Sequence, residues 1–506
     1  MNLMNRRSFL ATTAAAAATL PTLRSIAQTA SVPAATITLH SDQAAPAIPR
    51  NFVGLSYETQ QLSDPSFFSP ANSGLIAQFT ALTPNGVLRL GGNTSDYGFW
   101  KPTPTSTMPP RAKREYKVGD PPPDLSYAVT PEAVHNLRAF LDATGWTCLY
   151  GINMGTNTTA LAADEAEFVT KALGPKLEYI QIGNEADRFG STIRDPKTWN
   201  ASTFVDEWLT FANAILERVP EARFGMPDIA SNAKWFATIG DRLADSPIRS
   251  HIACLTHHYY FTGPPANPKA NPEALLHTDP KVAQVAATVR AAATKLNTVW
   301  RMTEGNSCYR GGKPGLSDVF AASLWAADYM LKLAFLGYAG VNLHGGDGKM
   351  VAMSLGGKLP GDDLVHDDPA SHPHPYYTPI AHIGDKYVAE PVNHGMRFAG
   401  RFAGTQLIPV DFAPGTVNAT AYAAKLPGEH SPAGNILVAV INKDATQPLK
   451  VTLPARPILM DVTSADSLTA TDVQTRRVAP TSGADVTVAA HSMAVFALYL
   501  KTGISG

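Results

Sequence analysis

The chain has 506 residues, with 41 basic and 42 acidic side chains and a formal net charge of −1. This length predicts a large core and more than one domain. Because the charges balance, the sequence shows no overall field that would attract nucleic acid or an anionic membrane, and we expect the substrate to be recognised by local contacts. Cys148, Cys254 and Cys308 are too few and too scattered for a disulfide framework or a cysteine zinc site, so we expect them to pack as small core residues.

Residues 1–30 have the pattern of an export signal. Arginines at positions 6 and 7 precede an apolar, alanine-rich run, and small residues suited to cleavage follow near Ala27. Paired arginines in this place are typical of the bacterial twin-arginine signal, and an ordinary secretory signal is the alternative. The run is too short for a transmembrane anchor. We therefore expect a leader over 1–30 and a protein exported to the periplasm or the medium.

Short β-rich segments alternate with helical segments between residues 51 and 396. Each is bounded by turn residues and rich in β-branched or aromatic side chains. The predicted strands are 52–58, 86–92, 147–153, 177–185, 222–228, 251–260, 298–306 and 340–346. Eight strands alternating with helices over this length predict a (β/α)8 TIM barrel as the catalytic domain, over 51–396. A doubly wound open sheet is the alternative, but no glycine-rich phosphate-binding fingerprint follows the first strand.

The intervening segments carry helix signals. The segment 130–145 has Thr130 as an N-cap, Pro131 in the first turn and Gly145 at the end, which are start and stop signals of a helix. Helical periodicity also predicts helices over 202–219, 281–297 and 317–337.

From residue 397 the pattern changes to short strands separated by Pro, Gly, Asn and Asp. This predicts an antiparallel β-sandwich domain over 397–506, to which residues 31–50 could add a strand. The proline-rich span 102–123 is predicted to be a long loop after the second barrel strand.

Two glutamates stand out among the residues that end predicted strands. Side chains at the C-terminal ends of barrel strands converge on one face. Glu185 ends the fourth strand, and Glu304 ends the seventh. Because these strands are not neighbours in a closed barrel, we expect the two carboxylates to face each other across its mouth. Such a pair is the minimum equipment of a glycosidase, in which one carboxyl protonates the leaving oxygen and the other attacks the anomeric carbon or activates water. The other polar residues expected at this face are Glu58, Asn184, Asp228, His257, Tyr259 and His344.

Four motifs occur in the order found in one glycosidase family. They are LRLGGNTSD (88–96), IGNE (182–185), THHYY (256–260) and TEGNSCYRGG (303–312). The chain resembles the retaining clan A glycosidases and, within them, glycoside hydrolase family 79, which contains exo-β-glucuronidases and, more distantly, heparanases. The motifs cover most of the predicted barrel, and the terminal β-sandwich also matches. The resemblance implies a β-glucuronidase that acts on a glucuronic-acid glycan or glycoside without a metal or other cofactor.

The resemblance also implies roles for single residues. Glu304 would be the nucleophile, Glu185 the acid/base and Asn184 a hydrogen-bonding partner of the sugar 2-hydroxyl. Because these tasks differ, we expect the pKa of Glu304 to be lowered and that of Glu185 to be raised.

Substrate contacts follow from the same resemblance. Tyr309 and Gly311 would hold the glucuronate carboxylate, with Tyr377 or its neighbour Tyr376 as a further contact. The residues that would line the hydroxyl side of the sugar are Glu58, Gly92 and Asn93.

The motif THHYY makes a prediction about side-chain direction. His257 and Tyr259 lie two residues apart on one strand and therefore point the same way, so we expect both at the substrate, with Tyr259 hydrogen-bonded to Glu304. The alternative is that all four residues from His257 to Tyr260 belong to an aromatic strand packed in the core, above all His258 and Tyr260.

Other interpretations of the sequence stay open. The segment 366–375 (HDDPASHPHP) holds possible metal ligands but lacks the helical spacing of a zinc protease motif, so metal catalysis is not expected. The basic cluster 111–117 could grip a sulfated chain, although a solvated loop is the expectation. Because the chain is formally neutral and its long inserts could close a pocket around a terminal sugar, we expect exo action. An endo-β-glucuronidase and a non-catalytic carbohydrate-binding barrel are the alternatives.

Overall fold

Eight parallel strands close into a barrel in the computed structural model, which describes residues 32–107, 126–347, 375–427 and 434–500. The strands up to the end of the barrel are β1 (Ala34–Leu39), β2 (Val53–Glu58), β3 (Val87–Gly91), β4 (Gly98–Trp100), β5 (Tyr127–Val129), β6 (Thr147–Ile152), β7 (Leu177–Ile182), β8 (Phe224–Ile229), β9 (Ile252–Tyr260), β10 (Val299–Asn306) and β11 (Val341–His344). The order around the barrel is β2-β3-β6-β7-β8-β9-β10-β11, and β11 pairs with β2 to close it. The predicted barrel is confirmed, and the open-sheet alternative is wrong because the first and last strands of the barrel pair with each other.

Helices connect the barrel strands. They are α1 (Ser73–Leu82), α2 (Pro131–Thr144), α3 (Thr159–Leu173), α4 (Ala201–Arg218), α5 (Trp235–Leu243), α6 (Pro272–Leu276), α7 (Pro280–Leu296) and α8 (Phe320–Phe335). Helix α2 begins and ends where its sequence signals predict: the side chain of Thr130 accepts a hydrogen bond from the N–H of Ala133, and Gly145 ends the helix with a φ of 77°. A left-handed residue at this place favours glycine, which has no Cβ to clash.

Antiparallel strands after the barrel form a β-sandwich. The remaining elements are β12 (Ile380–Ile383), β13 (Lys386–Ala389), α9 (Pro391–Gly400), β14 (Gln406–Ile408), β15 (Val410–Phe412), β16 (Ala419–Lys425), β17 (Ile436–Asn442), β18 (Leu449–Thr452), β19 (Pro457–Ser464), β20 (Gln474–Val478), β21 (Asp485–Val488) and β22 (Ser492–Leu498). One sheet has the order β14-β16-β17-β22-β19-β20 and the other β15-β1-β18-β21. The early strand β1 lies in the second sheet between β15 and β18, so the fold is the predicted barrel and sandwich with an N-terminal strand added.

The predicted boundary at 396/397 falls inside α9, which packs against the barrel helix α8. A Cβ at Gly395 would lie 2.1 Å from the backbone oxygen of Ser323, so glycine is what allows the two helices to approach. Helix α9 therefore packs with the barrel along its full length, and the first strand of the six-stranded sheet after it is β14.

Strand β17 is buried on both faces and joins the sandwich to the barrel. Val438 and Val440 pack in the core between the two sheets. Leu437, Ala439 and Ile441 alternate with them and pack in the core that is shared with the barrel. The two predicted domains therefore share buried surface along this sheet.

A buried ion pair reinforces this junction. Lys443 Nζ lies 2.5 Å from Asp328 Oδ2 on α8, and the Lys443 side chain is only 2% exposed. We expect Asp328→Ala to lower the free energy of unfolding by about 3–5 kcal/mol, because Lys443 would keep its charge in a buried place without a partner. Urea-induced unfolding followed by tryptophan fluorescence measures the loss.

The matched control breaks an exposed pair. Lys450 Nζ and Asp485 Oδ2 are 3.0 Å apart, with both side chains about half exposed. Asp485→Ala should leave the unfolding midpoint unchanged, since exposed pairs are weak. Equal losses in the Asp328 and Asp485 variants would contradict the importance of the buried pair.

The described part of the chain contains no helix that is both long enough and apolar enough to cross a membrane. All three cysteines are buried free thiols, as predicted. The predicted leader (1–30), the basic cluster (111–117) and the possible metal ligands at 366–374 lie outside the described residues, as does most of the predicted loop 102–123.

Candidate active site

Glu185 and Glu304 come together at the C-terminal mouth of the barrel. Glu304 lies within β10, and Glu185 follows β7 with a φ of 48°. This left-handed backbone is uncommon for a residue other than glycine; the Glu185 N–H donates to the backbone oxygen of Asp228 at 2.8 Å. One carboxylate oxygen of Glu185 and one of Glu304 lie within 4.8 Å of each other. The two side chains can therefore act on the same bond of a ligand.

Both glutamates line a cavity of about 1370 Å³. Its lining includes buried side chains, among them Glu58, Asn184, His344 and Tyr377. It also includes the segments 229–233 and 277–285, where most side chains are more exposed. The side chain of Glu304 is 8% exposed and that of Glu185 is 22% exposed, so the cavity is more buried beside Glu304 than beside Glu185.

Arg89 on β3 is the buried cation next to Glu304. Its side chain is 0% exposed, and Nη1 lies 2.6 Å from Glu304 Oε2. Nη2 donates to Asn184 Oδ1 at 2.7 Å. Because Arg89 occupies the carbonyl oxygen of Asn184, the amide NH2 of Asn184 is left to donate to a ligand in the cavity.

Glu304 is surrounded by groups that favour its ionised form. The Tyr260 hydroxyl donates to Glu304 Oε1 at 2.8 Å. Burial acts to raise the pKa of Glu304, but the charges of His344, His258 and Arg89, together with the Tyr260 hydrogen bond, outweigh it and lower the pKa to about 2. Glu304 is therefore a carboxylate at neutral pH, as a nucleophile must be.

Glu185 has the opposite environment. Burial raises its pKa, contact with His258 opposes this rise, and the charge of Glu304 adds to it. His258 Nδ1 lies 3.0 Å from Glu185 Oε1. The two pKa values move in the directions expected for an acid paired with a nucleophile.

The side chains of β9 alternate in the opposite sense to the prediction. His258 and Tyr260 contact the two glutamates, whereas the Tyr259 hydroxyl is hydrogen-bonded to Asp279. The Nε2 atom of His257 lies 2.8 Å from the hydroxyl of a further tyrosine, Tyr338. The prediction that Tyr259 bonds to Glu304 is therefore wrong, and so is the assignment of His257 to the face of the glutamates. Both residues still border the cavity. The prediction chose the wrong alternate pair, and a shift of one residue along a strand exchanges the residues on its two faces.

The predicted carboxylate-binding residues lie beside Tyr260. The ring centroids of Tyr309 and Tyr377 are 5.8 Å and 6.4 Å from that of Tyr260. The N–H of Tyr377 donates to the backbone oxygen of Gly311 at 3.2 Å, and Gly311 has a φ of 81°. Tyr309 and Tyr377 thus line the cavity beside Tyr260, whereas Gly311 is bonded to Tyr377 and is not part of the lining.

Glu58 and Asn93 line the cavity, and Gly92 packs against Glu58 without being part of the lining. Glu58 accepts hydrogen bonds from the N–H and the hydroxyl of Thr94, at 2.9 Å and 2.8 Å. A Cβ at Gly92 would lie 2.3 Å from Glu58 Oε2, so this close approach requires glycine. Glu58 Oε1 is 3.5 Å from His344 Nε2, and Asn93 lines the cavity beside it.

No protein-family model matches the chain. A protein named beta-glucuronidase from Aspergillus niger is 28% identical over 358 residues, which are 64% of this chain and 62% of that protein. A second beta-glucuronidase, from Neurospora crassa, is 27% identical over 317 residues, which are 56% of this chain and 54% of that protein. The chain is a sequence relative of these fungal β-glucuronidases. The match spans less than two thirds of either relative, and it confirms the resemblance that the motifs indicated.

Solved structures share the fold. A 4-O-α-L-rhamnosyl-β-D-glucuronidase from Fusarium oxysporum, in complex with Rha-GlcA, superposes with a TM-score of 0.65 and 17% identity over 92% of this chain and 100% of that chain. A family 51 α-L-arabinofuranosidase from Bifidobacterium longum gives a TM-score of 0.63 and 14% identity over 92% and 99% of the two chains. At these identities the comparison shows that this chain shares the fold of those proteins, and nothing beyond the fold.

Three of the site residues could also hold a metal ion. Ligand atoms of Glu185, His258 and Glu304 all lie within 4.8 Å of one another. However, Arg89 is already paired with Glu304, and the second ring nitrogen of His258 faces Asp228 at 3.2 Å. An added cation would meet these two positive groups at short range, so the donor set suits proton transfer better than metal binding.

Sequence reasoning missed Arg89, His258 and Tyr260. The signal for Arg89 is its place in the predicted buried strand GVLRLGG, because a charge in such a strand must be paired. For His258 and Tyr260, the motif THHYY places polar or aromatic side chains on both faces and does not tell which face is inward.

Proposed function

We propose that the protein is a glycoside hydrolase, a retaining exo-β-glucuronidase that removes terminal β-linked glucuronic acid. The observation that carries this proposal is the pair Glu185 and Glu304, whose nearest oxygens lie within 4.8 Å. Retaining glycosidases hold their carboxyls about 5–5.5 Å apart, and inverting ones about 6.5–9.5 Å apart. The relatives named beta-glucuronidase support the choice of sugar.

In the first step of this mechanism, Glu304 attacks the anomeric carbon while Glu185 gives its proton to the leaving oxygen. The bond to the leaving group breaks and an ester between Glu304 and the sugar forms. In the second step Glu185, now ionised, takes a proton from water, and the water oxygen attacks the same carbon. The ester breaks, Glu304 leaves as a carboxylate, and glucuronic acid is released with its β configuration.

The glucuronate carboxylate is assigned to Tyr309, Gly311 and Tyr377. A phenol and backbone N–H groups can hold an anion without an arginine. Tyr309 and Tyr377 flank Tyr260, which contacts Glu304, so a carboxylate placed there is within one sugar ring of the proposed nucleophile.

The shape of the cavity supports exo action. Glu58, His344 and Tyr377 line the cavity and are each at most 3% exposed, whereas the side chain of Glu185 is 22% exposed. A terminal sugar is assigned to the buried part of the cavity, with its leaving group directed outward past Glu185. An endo-acting enzyme would instead need room for chain on both sides of the cleaved bond.

The test uses the purified protein and 4-nitrophenyl β-D-glucuronide, with the first-formed sugar followed by 1H NMR. The β anomer should appear first, and early α anomer would overturn retention. On a polymer with terminal β-glucuronate, release of the monosaccharide supports exo action, whereas release of oligosaccharides supports the endo alternative. Binding of glucuronides without turnover would leave only the carbohydrate-binding barrel.

Export by residues 1–30 is proposed with this function. The full chain produced in a bacterium with a twin-arginine system should release its activity with the periplasmic fraction. Replacement of both arginines at positions 6 and 7 by lysine should retain it in the cytoplasm.

Tyr260→Phe tests the corrected direction of β9. Loss of the hydroxyl that donates to Glu304 should raise the pKa of Glu304, since a hydrogen bond to the ionised form is lost. The acidic limb of kcat/KM should therefore move to higher pH, by about one unit. Tyr259→Phe removes a hydroxyl bonded to Asp279 instead and should leave that limb in place. A larger shift in the Tyr259 variant would restore the original prediction.

A further inference from the structure

Asp228 on β8 is a buried carboxylate that the proposed mechanism does not use. It is 1% exposed and does not line the cavity. Its Oδ2 pairs with Arg89, and its Oδ1 accepts hydrogen bonds from Gln181 at 2.8 Å and Thr303 at 2.5 Å. Oδ1 is also 3.2 Å from His258 Nε2. Asp228 therefore joins the two buried cations that approach Glu304 and Glu185.

His258 lies between two carboxylates. Nδ1 is 3.0 Å from Glu185 Oε1, and Nε2 faces Asp228. Nε2 also lies 3.3 Å from Nη2 of Arg89. Asp228 is ionised and only accepts hydrogen bonds, so the ring donates to it when Nε2 carries a proton, and a proton on Nδ1 is donated to Glu185 once that residue is ionised. Burial acts to lower the pKa of His258, but the charges of Asp228 and then Glu304 outweigh it and raise the pKa to about 10. His258 is therefore a cation at neutral pH.

We propose that Asp228 is a positioning residue that holds Arg89 and His258 as fixed charges, so that Glu185 is the group that gains and loses the proton during turnover. This inference rests on the proposed function. It extends that function by adding a residue that does not touch substrate but sets the charge of the groups that do.

The charges balance in both halves of the proposed cycle. Before reaction, Arg89 and His258 are positive, Asp228 and Glu304 are negative, and Glu185 carries its proton. In the glycosyl-enzyme, Glu304 is a neutral ester and Glu185 has given up its proton. Two positive and two negative groups are thus present both before reaction and in the glycosyl-enzyme. Asp228 supplies one of the two negative charges in each state.

Other charged groups face this cluster from neighbouring elements. Asp187 adds negative charge near Glu185 and is itself held by the backbone N–H groups of residues 230–232. His344 lies 3.8 Å from Glu304 and 3.5 Å from Glu58. These groups are the same in wild type and in the variants below, so they do not alter the direction of the expected shifts.

Asp228→Asn removes one negative charge from the balance. Glu185 and His258 titrate as a pair, and the first proton that this pair loses should then leave at lower pH. Loss of a proton from either residue relieves the excess of positive charge. The alkaline limb of kcat/KM for 4-nitrophenyl β-glucuronide should move to lower pH, by about one unit or more. His258→Gln removes a positive charge instead, so its alkaline limb should move to higher pH.

Opposite shifts in these two variants support the inference. A uniform loss of kcat at every pH, or shifts in the same direction, would overturn it, since a role in packing alone does not depend on the sign of the charge. If the asparagine variant does not fold, Asp228→Gly serves in its place, because glycine suits the φ of 54° at this position. Added formate should then return the limb toward that of wild type, whereas chloride at equal ionic strength should not; equal effects would overturn the inference.

NMR of histidine-labelled protein tests the same inference without turnover. The His258 ring, identified by its absence in His258→Gln, should stay protonated beyond pH 8 in wild type and titrate at lower pH in Asp228→Asn. An unchanged titration would overturn the role of Asp228. An inactive wild-type protein with the expected NMR shift would overturn the proposed function alone.

Discussion

Glu304→Gly is expected to abolish hydrolysis of 4-nitrophenyl β-glucuronide, with kcat lower by about four orders of magnitude or more. The variant lacks the carboxylate that Arg89 and Tyr260 both contact, so no ester between that residue and the sugar can form. It also leaves a space beside the anomeric carbon. Azide that enters this space should attack from the side that Glu304 occupied and give α-glucuronyl azide, identified by NMR.

The control for this result is the anomer of the product. Attack of azide from the opposite face of the sugar would give the β azide and contradict the role of Glu304. Substantial hydrolysis without azide would show that another group is the nucleophile. The loss of the side chain is compatible with folding, because Glu304 lines a cavity that solvent can enter and Arg89 keeps its second partner, Asp228. Thermal unfolding of the variant should confirm that its fold is retained.

The barrel was predictable because parallel strands covered by helices appear as short apolar runs between turns. The end of each strand then predicts where side chains meet. Glu185 and Glu304 are 119 positions apart in sequence, yet strand order alone places them at one mouth. Their closeness follows from a closed barrel, which eight alternating units predict.

The direction of β9 was not predictable from its residues. His257, His258, Tyr259 and Tyr260 are all amphipathic, so neither alternate pair is marked as the inward one. Pairing with β8 and β10 decides it, and those contacts are set by packing along the entire barrel. The register is also irregular there, since β9 shifts against β10 between Met302 and Glu304.

The buried charge network was hidden for a related reason. Arg89, Asp228 and His258 come from three different strands. Each of them, taken alone, can be interpreted as a structural residue with no role at the site. Only the closed barrel brings them within hydrogen-bonding distance. In the sandwich, the edge strand β20 has the sequence QTRRV, which is polar on both faces and therefore carries no alternating signal.

Glu185→Ala is expected to separate the two steps of the reaction. Loss of the acid should slow cleavage of poor leaving groups by about 10² to 10⁴. A 2,4-dinitrophenyl leaving group needs no proton, so the first step should survive and the ester at Glu304 should accumulate. A burst of dinitrophenolate followed by slow turnover, together with the ester detected by mass spectrometry, measures this.

Azide also tests the role of Glu185 as the acid/base, through the anomer of the product. In this variant the anion should occupy the place of the Glu185 carboxylate, next to His258, and attack the ester from the side of the lost leaving group. The product should be β-glucuronyl azide, the opposite anomer from that of Glu304→Gly. Because the two carboxylates lie on opposite sides of the cleaved bond in the proposed mechanism, the anomers assign each role independently of rates. The same anomer from both variants would contradict the assignment.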